Sequence, residues 1–420
     1  MFKLAFLNLL RYKKRTIITA FAIALGVAIG IYMQALLKGV NGESERNLLW
    51  YETSAAKIYN KDWYHNKEYY PIDSLISHQQ VQGLEKLLAE NHITNYSKEF
   101  LETCDVSFYQ DPYTATGSIK ALIHGLSDEG TGAYHYAEAT REGSWISKGS
   151  EGVVIGAKLA DDIGAQKGYY LTIQAKGKGG FITAFDVPII GIIQTGNPLV
   201  DTSSLFFDYD FISDMLELQK DISSIAFSFG KNNVTSTIKT TKKITPLLKE
   251  IAATQNLVAH PWTDIAEEVL TFAKSDKSSA YLIIFFIFAI AIVGVTNTMI
   301  MAMSERKNEI AMLRSLGYRR NYITLLFSIE SGLLGCIGSI FGIILGLIPS
   351  IYNQTHGINF SGQNANLNMG YRMSAIMYTD IDYKNIVFLS LLTILFCILA
   401  SFLAVHNATK GEIVEKLRGM

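Results

Sequence analysis

Four stretches of this 420-residue chain run without a charged side chain for long enough to matter: Thr16–Leu37, Ser278–Ser304, Ser331–Tyr352 and Asn385–Thr409. Crossing ~30 Å of hydrocarbon takes about 17–25 predominantly apolar residues, so each stretch predicts a transmembrane helix. The first is longer than the roughly 7–15-residue core of a signal peptide, and no small-residue cleavage site follows it; it reads as a retained anchor.

Between the first and second spans the pattern changes. Gln79–Ala89 carries Val81, Leu84, Leu87 and Leu88 at helical spacing. Val153–Ile155 reads as a strand leading into a short helix over Ala157–Ile163. Tyr169–Ala175 and Phe181–Ile193 read as strands joined through Lys176-Gly177-Lys178-Gly179-Gly180, a hairpin turn signal. Ser236–Thr254 reads as a helix, and Lys38–Tyr51 as an extension of the first span that ends near Asn41-Gly42. The expected fold is an α-helical membrane protein with four transmembrane helices and a large mixed α/β extracytoplasmic domain inserted between helices 1 and 2.

Charge then sets the orientation. Lys3, Arg11, Lys13, Lys14 and Arg15 precede the first span; Arg306, Lys307, Arg314, Arg319 and Arg320 follow the second; Lys410, Lys416 and Arg418 follow the fourth. The 353–384 loop has only Arg372 and Lys384. Short basic loops stay on the cytoplasmic side, so both termini are expected there and residues 38–277 on the other side of the membrane. That segment holds 22 Lys and Arg against 31 Asp and Glu, a net of −9 in a chain whose total is −1. An acidic surface argues against nucleic acid as a partner. The expected divisions are 1–16, a cytoplasmic amphipathic helix; 17–37, 278–304, 321–352 and 385–408, transmembrane helices; 38–277, the outer domain; 305–320, a cytoplasmic loop helix; 353–384, a short outer loop; and 409–420, a cytoplasmic tail.

Catalytic chemistry is thin. There is no G-x-x-x-x-G-K-[ST] phosphate loop, no H-E-x-x-H and no C-x-x-C, and Lys148-Gly149-Ser150-Glu151-Gly152 misses the nucleophile-elbow spacing by one position. Asp62, His65 and Glu68 share a helical face, but a solvated polar segment explains them as well as a metal does; no metal site is assigned. Cys104 stands alone in the outer segment, and Cys336 and Cys397 lie within spans, so no disulfide is expected there.

The spans carry more information. Gly338, Gly342 and Gly346 recur every four residues, as do Ala22, Gly26 and Gly30. Such spacing makes a shallow groove that lets another helix approach closely, either within the chain or from a second copy. Asn297, a polar residue inside the second span, is expected to bond to a neighbouring helix, and Glu330 to sit at the membrane edge near Arg319 and Arg320. In the loop helix, Ser304 is the expected N-cap and Gly317 the residue that ends it. Glu305, Arg306 and Glu309 supply charge, and Ile310, Leu313 and Leu316 an apolar side. A purely membrane-surface helix would be basic on its polar face; mixed charge suits a protein partner.

Glu305-Arg306-Lys307-Asn308-Glu309-Ile310-Ala311-Met312-Leu313-Arg314-Ser315-Leu316-Gly317 resembles the coupling-helix signature of the FtsX/MacB-type ABC transporter permeases. Ala5–Thr16 is similar to that family's amphipathic helix and the start of its first span, Gly156–Ala160 with Gly164 and Gly168 to its outer-domain motif, and Ala408–Arg418 to its tail. Leu36–Glu43, Pro261–Asp264 and Gly191–Gly196 with Asp201 look like the lipoprotein-releasing LolC/LolE-type members.

The resemblance implies a mechanism. Two permease chains, identical or homologous, would sit on two copies of a separate cytoplasmic ABC ATPase, which alone would hold ATP and Mg; this chain would carry no cofactor. Closure of the ATPase would push the loop helix, and the spans would relay the motion to the outer domains. The cargo would be a lipoprotein leaving the inner membrane for a periplasmic carrier, with Ile31, Met33, Leu36, Leu37 and Phe286 as position-based contacts. Export of a drug or peptide, and a mechanotransmission scaffold that controls a cell-wall hydrolase or sensor kinase, stand beside it.

Overall fold

The computed structural model describes residues 2–11, 13–108, 117–127, 132–229, 234–306, 310, 312, 315–359, 372 and 376–410. In chain order the elements are α1 (Phe2–Arg11), α2 (Lys13–Asn47), β1 (Ala56–Asn60), α3 (Lys61–His65), α4 (His78–Glu90), β2 (Tyr96–Phe108), β3 (Gly117–Leu126), β4 (Thr140–Gly143), β5 (Val153–Gly156) and α5 (Ala157–Ile163). Then follow β6 (Tyr170–Lys176), β7 (Ile182–Ile193), α6 (Pro198–Ser203), β8 (Ser204–Asp208), α7 (Tyr209–Met215), β9 (Ser224–Phe227), α8 (Val234–Thr254), β10 (Leu257–Pro261), α9 (Trp262–Ile265), α10 (Glu267–Glu305), α11 (Arg320–His356), β11 (Ile358–Asn359), β12 (Ile376–Met377) and α12 (Tyr383–Lys410). Two compact units result: residues 1–41, 273–363 and 376–420, and residues 42–272 with 364–375.

The first unit is helical. Four helices are long and apolar enough to cross a membrane, with the qualifying runs at Thr16–Glu52, Tyr281–Glu305, Arg320–His356 and Tyr383–His406. The predicted break at Asn41-Gly42 does not occur; α2 continues to Asn47 and a π turn covers Leu48–Glu52. Asn41 Nδ2 donates to the Leu37 carbonyl 2.8 Å away, one turn back, so its side chain follows the helix instead of capping it. A single glycine inside a helix costs only about 1 kcal/mol, too little to stop one held by neighbours on both sides.

Small residues position these helices. A Cβ on Gly338 would lie 2.7 Å from Ile23 Cβ, one on Gly342 2.7 Å from Val27 Cβ, and one on Gly346 2.9 Å from the Ala28 carbonyl oxygen. The groove of α11 is therefore filled by α2 of the same chain. Gly335 meets α12, where its Cβ would stand 3.2 Å from Ile394 Cα. Gly26 and Gly30 point elsewhere on α2, towards Ile287 and Leu389. Thus each groove offered above for self-association has an intrachain occupant. With no hydrophobic drive between helices in lipid, such close approach and a few interhelical hydrogen bonds hold the bundle. Ser331 Oγ donates to the Cys397 carbonyl at 2.6 Å, Ser401 Oγ to the Phe327 carbonyl at 3.2 Å, and Asn353 Nδ2 to the Tyr32 hydroxyl at 2.8 Å.

The second unit is built on one sheet, ordered β10-β1-β9-β2-β3-β8-β5-β7-β4, with β6 pairing β2 and β7. Pairings are antiparallel except β3 with β8 and β5 with β7. Both faces are covered, and the period of two is visible: Val153, Ile155, Leu205 and Phe207 enter the main core, while Val154 and Phe206 enter a second, aromatic cluster with Tyr51, Tyr134 and Tyr136. Helices α4, α5, α7 and α8 close the main core with Leu84, Leu159, Ile212 and Leu248. The expected hairpin is β6–β7, with Gly180 at φ +81° in the turn. Ser77 and Gln80 cap α4 reciprocally.

Candidate functional site

In the helical unit the charged segment after α10 is the centre of interest. The helix ladder runs across Ser304, since the Arg306 amide still donates to the Ala302 carbonyl, 3.2 Å away. Ser304 is therefore interior to α10 and caps nothing. Beyond it the described residues Ile310, Met312 and Ser315 are helical; the Ile310 amide donates to the Arg306 carbonyl at 3.0 Å and the Leu316 amide to the Met312 carbonyl at 3.1 Å. Gly317, at φ +88°, ends the segment in the left-handed conformation that glycine adopts without strain. Glu309 and Leu313 lie outside the described residues.

Arg306 does not face a partner. It is 4% exposed and its guanidinium grips Glu330 of α11 through two bonds, Nη1 to Oε2 at 3.0 Å and Nη2 to Oε1 at 3.4 Å. Glu330 is fully buried and pairs with Arg306, not with the exposed Arg319 and Arg320. A forked guanidinium matches a carboxylate in two places, which fixes geometry as well as charge. The root of the charged segment is thereby tied to the middle of the bundle.

The apolar side of the segment also differs from expectation. Ile310 is 4% exposed and packs into the bundle core with Met303, Ile323 and Phe327, whereas Leu316 is 69% exposed. Six helical residues advance by about 240° beyond a full turn, so the two cannot share a face. The residue that does share a face with Leu316 is Met312, four positions earlier and also exposed. Glu305 is exposed at the end of α10.

Asn297 is exposed on α10 and makes no hydrogen bond to another helix among the described residues. The bundle-facing residues of α10 include Ile284, Val295, Met299, Ala302 and Met303, and a polar link to α2 is Thr298, whose hydroxyl lies 3.3 Å from that of Thr19. Ile31 is buried in the bundle core, which removes it from any lipid-facing contact; Met33, Leu36 and Leu37 are half-buried, and Phe286 is exposed.

In the sheet unit a second constellation escaped sequence reading. Lys57 on β1 reaches Glu99 on β2 at 2.7 Å, with both side chains buried. Glu99 also accepts from Ser224 at 2.7 Å and Tyr134 at 3.1 Å, and His124 stands 3.7 Å away. Burial pushes the Glu99 carboxyl up, but Lys57 and His124 outweigh it and hold the group at about 2. The signal was a lysine between Ala56 and Ile58 in the short strand β1. Asp62, His65 and Glu68 form no metal-ligand cluster among the described residues.

Residues 281–413 match the model of the FtsX-like permease C-terminal family. The chain is 19% identical over 280 residues to the lipoprotein-releasing system transmembrane protein LolC of Neisseria meningitidis, across 63% of this chain and 64% of that one. It is 24% identical over 371 residues to the macrolide export ATP-binding/permease protein MacB of Campylobacter jejuni, across 86% of this chain and 54% of that one. The chain thus spans between half and two thirds of the length of these relatives. The crystal structure of the periplasmic region of MacB from Actinobacillus actinomycetemcomitans aligns over 56% of this chain and 98% of that one, at 14% identity and a TM-score of 0.35.

Proposed function

We propose, from the premise that residues 281–413 are an FtsX-like permease domain, that this chain is the membrane-embedded permease subunit of an ABC transporter of the FtsX/MacB/LolC type. It works with a separate cytoplasmic ATPase that holds ATP and Mg, and two permease chains assemble on two ATPase copies in the inner membrane. The observation that carries this reading is the segment between α10 and α11. It presents Met312 and Leu316 outward while Arg306, at its root, is locked to Glu330. A docking surface must be both exposed and mechanically tied to what it moves. A push on Met312 and Leu316 reaches α11 through a buried bidentate ion pair, and reaches α2 through the Gly338-Gly342-Gly346 contact. Packed interfaces of this kind shift between discrete arrangements instead of deforming smoothly, which suits them to relay a stroke.

The cargo reading is release of lipoproteins from the inner membrane. Exposing acyl chains to water costs about 0.8 kcal/mol per CH₂, so extraction needs an energy source such as the ATPase. Depleting the chain and fractionating inner and outer membranes tests this. Mature lipoproteins should accumulate in the inner membrane; an unchanged distribution would exclude release and bring forward the efflux reading, which the similarity to MacB favours.

A further inference from the structure

The outward side of α10 carries a pattern that lipid does not explain. Ile283, Phe286, Ile290, Val293, Asn297 and Ile300 follow one another at intervals of three and four residues, and all six are exposed. That spacing sets them in one line along the helix, the seam of a left-handed helix pair. The opposite side is occupied: Ile284, Val295, Met299 and Ala302 pack into the bundle, and Met299 lies about 200° around the helix from Asn297. The other line residues are apolar side chains that lipid tails solvate well. Asn297 is not.

Asn297 stands about 24 Å from Tyr281 and about 12 Å from Glu305 along the helix, inside the hydrocarbon when α10 crosses a membrane. No water is there to bond a side-chain amide, so an exposed one is costly. Its neighbour Thr298 meets the same problem by donating to the Gly294 carbonyl one turn back, 2.8 Å away. Asn297 makes no side-chain hydrogen bond among the described residues. Its amide has two donors and an acceptor, so a partner must offer both kinds of group at the same depth, beside an apolar line of the same spacing. A second copy of this chain does so. Copies inserted with the same topology run parallel in the bilayer. About a two-fold axis normal to the membrane each line residue meets its own counterpart, and two Asn297 amides exchange hydrogen bonds. The glycine grooves of the bundle cannot serve, since helices of the same chain fill them.

We infer that two copies of the chain pair through this line of α10, with Asn297 setting the register. The inference rests on the proposed pairing of permease chains and adds the face that joins them. A single polar residue in an apolar seam fixes register and copy number, because a slip leaves its amide against hydrocarbon.

The test uses the full chain reconstituted in phosphatidylcholine vesicles with no ATPase present, so a failed ATPase assignment leaves its result intact. Oxidative cross-linking should join Ile290→Cys and Val293→Cys chains into dimers. Phe285→Cys, exposed but about 100° of helix rotation from Phe286, should cross-link no more than the unsubstituted chain with its native cysteines. Energy transfer between two dye-labelled pools, read against the chain-to-lipid ratio, gives the dimer affinity. Asn297→Leu, close in volume but without the amide, should weaken it about tenfold, the scale of one or two hydrogen bonds between membrane helices. Asn297→Gln, which keeps the amide, should stay within about threefold of the original. A chain that stays monomeric, cross-links as strong at Phe285→Cys as at Val293→Cys, or an affinity that Asn297→Leu leaves unchanged would overturn the inference. A dimer joined by another face would do so while leaving the proposed two-chain assembly standing.

Discussion

Cutting one end of the Arg306–Glu330 pair should open the helical bundle more than any surface change in it. Both side chains are out of solvent, at 4% and 0% exposure, and are joined at 3.0 and 3.4 Å. Removing one partner of a buried pair leaves an uncompensated charge and costs about 3–5 kcal/mol, whereas replacing both by apolar groups of similar volume is often neutral or stabilising. The two single variants should differ. Arg306→Met leaves behind a carboxyl group, a type that has a neutral form; Glu330→Leu leaves behind a guanidinium, a type that stays charged in proteins. Glu330→Leu should therefore be the more damaging, and Arg306→Met/Glu330→Leu should return to within about 1 kcal/mol of the starting protein. Cys397, 5% exposed on α12, supplies the readout. Its labelling by a thiol reagent, followed by peptide mass spectrometry, reports how often the bundle opens. A loss of about 3 kcal/mol raises that rate about a hundredfold. Single variants that label at the original rate, or a double variant no better than the singles, would refute the pair's role.

Two further outcomes are expected. Gly342→Leu should lower the thermal stability of the bundle by at least about 1–3 kcal/mol, because even a Cβ there would meet Val27 Cβ at 2.7 Å and the Ala24 carbonyl oxygen at 2.8 Å, while Gly294→Leu, with nothing within 4 Å, should change little. Glu102, 6% exposed, is pushed up to about 7 by burial, with Thr103 and Lys176 offsetting part of the rise. Between about pH 4.5 and 7 the folded chain holds this proton when the unfolded chain has released it, so the group's contribution to stability falls as pH rises through that window, by about 3 kcal/mol in all. Glu102→Gln should remove that decline in denaturant titrations of the sheet unit; an unchanged pH profile would contradict the assignment.

What sequence could reveal depended on how local the cause was. The four spans were legible because some twenty apolar residues in succession admit few other readings. The β6–β7 hairpin was legible because glycines mark its turn, and α4 because its period and cap lie within one segment. The long β2–β3 pair was missed: β2 places Glu99 and Glu102 in buried positions, so its polar residues masked the alternation that marks a strand. The glycine stripe of α11 could be seen, but which helix fills it depends on tertiary phase. The same holds for Arg306 and Glu330, 24 residues apart on two helices, and for Asn297, which lies one residue, about 100° of helix rotation, away from Thr298, the residue that meets α2 in its place.

The central claim is that the segment between α10 and α11 couples this chain to a separate ATPase. The most direct measurement is affinity purification of the tagged full chain from its native membranes after mild cross-linking, with mass spectrometry of what is retained. The wild-type chain should retain an ABC ATPase bearing a phosphate-binding loop, and Met312→Asp/Leu316→Asp should lose it while still inserting in the membrane. Retention of the same ATPase by both proteins, or of none by the wild type, would contradict the account.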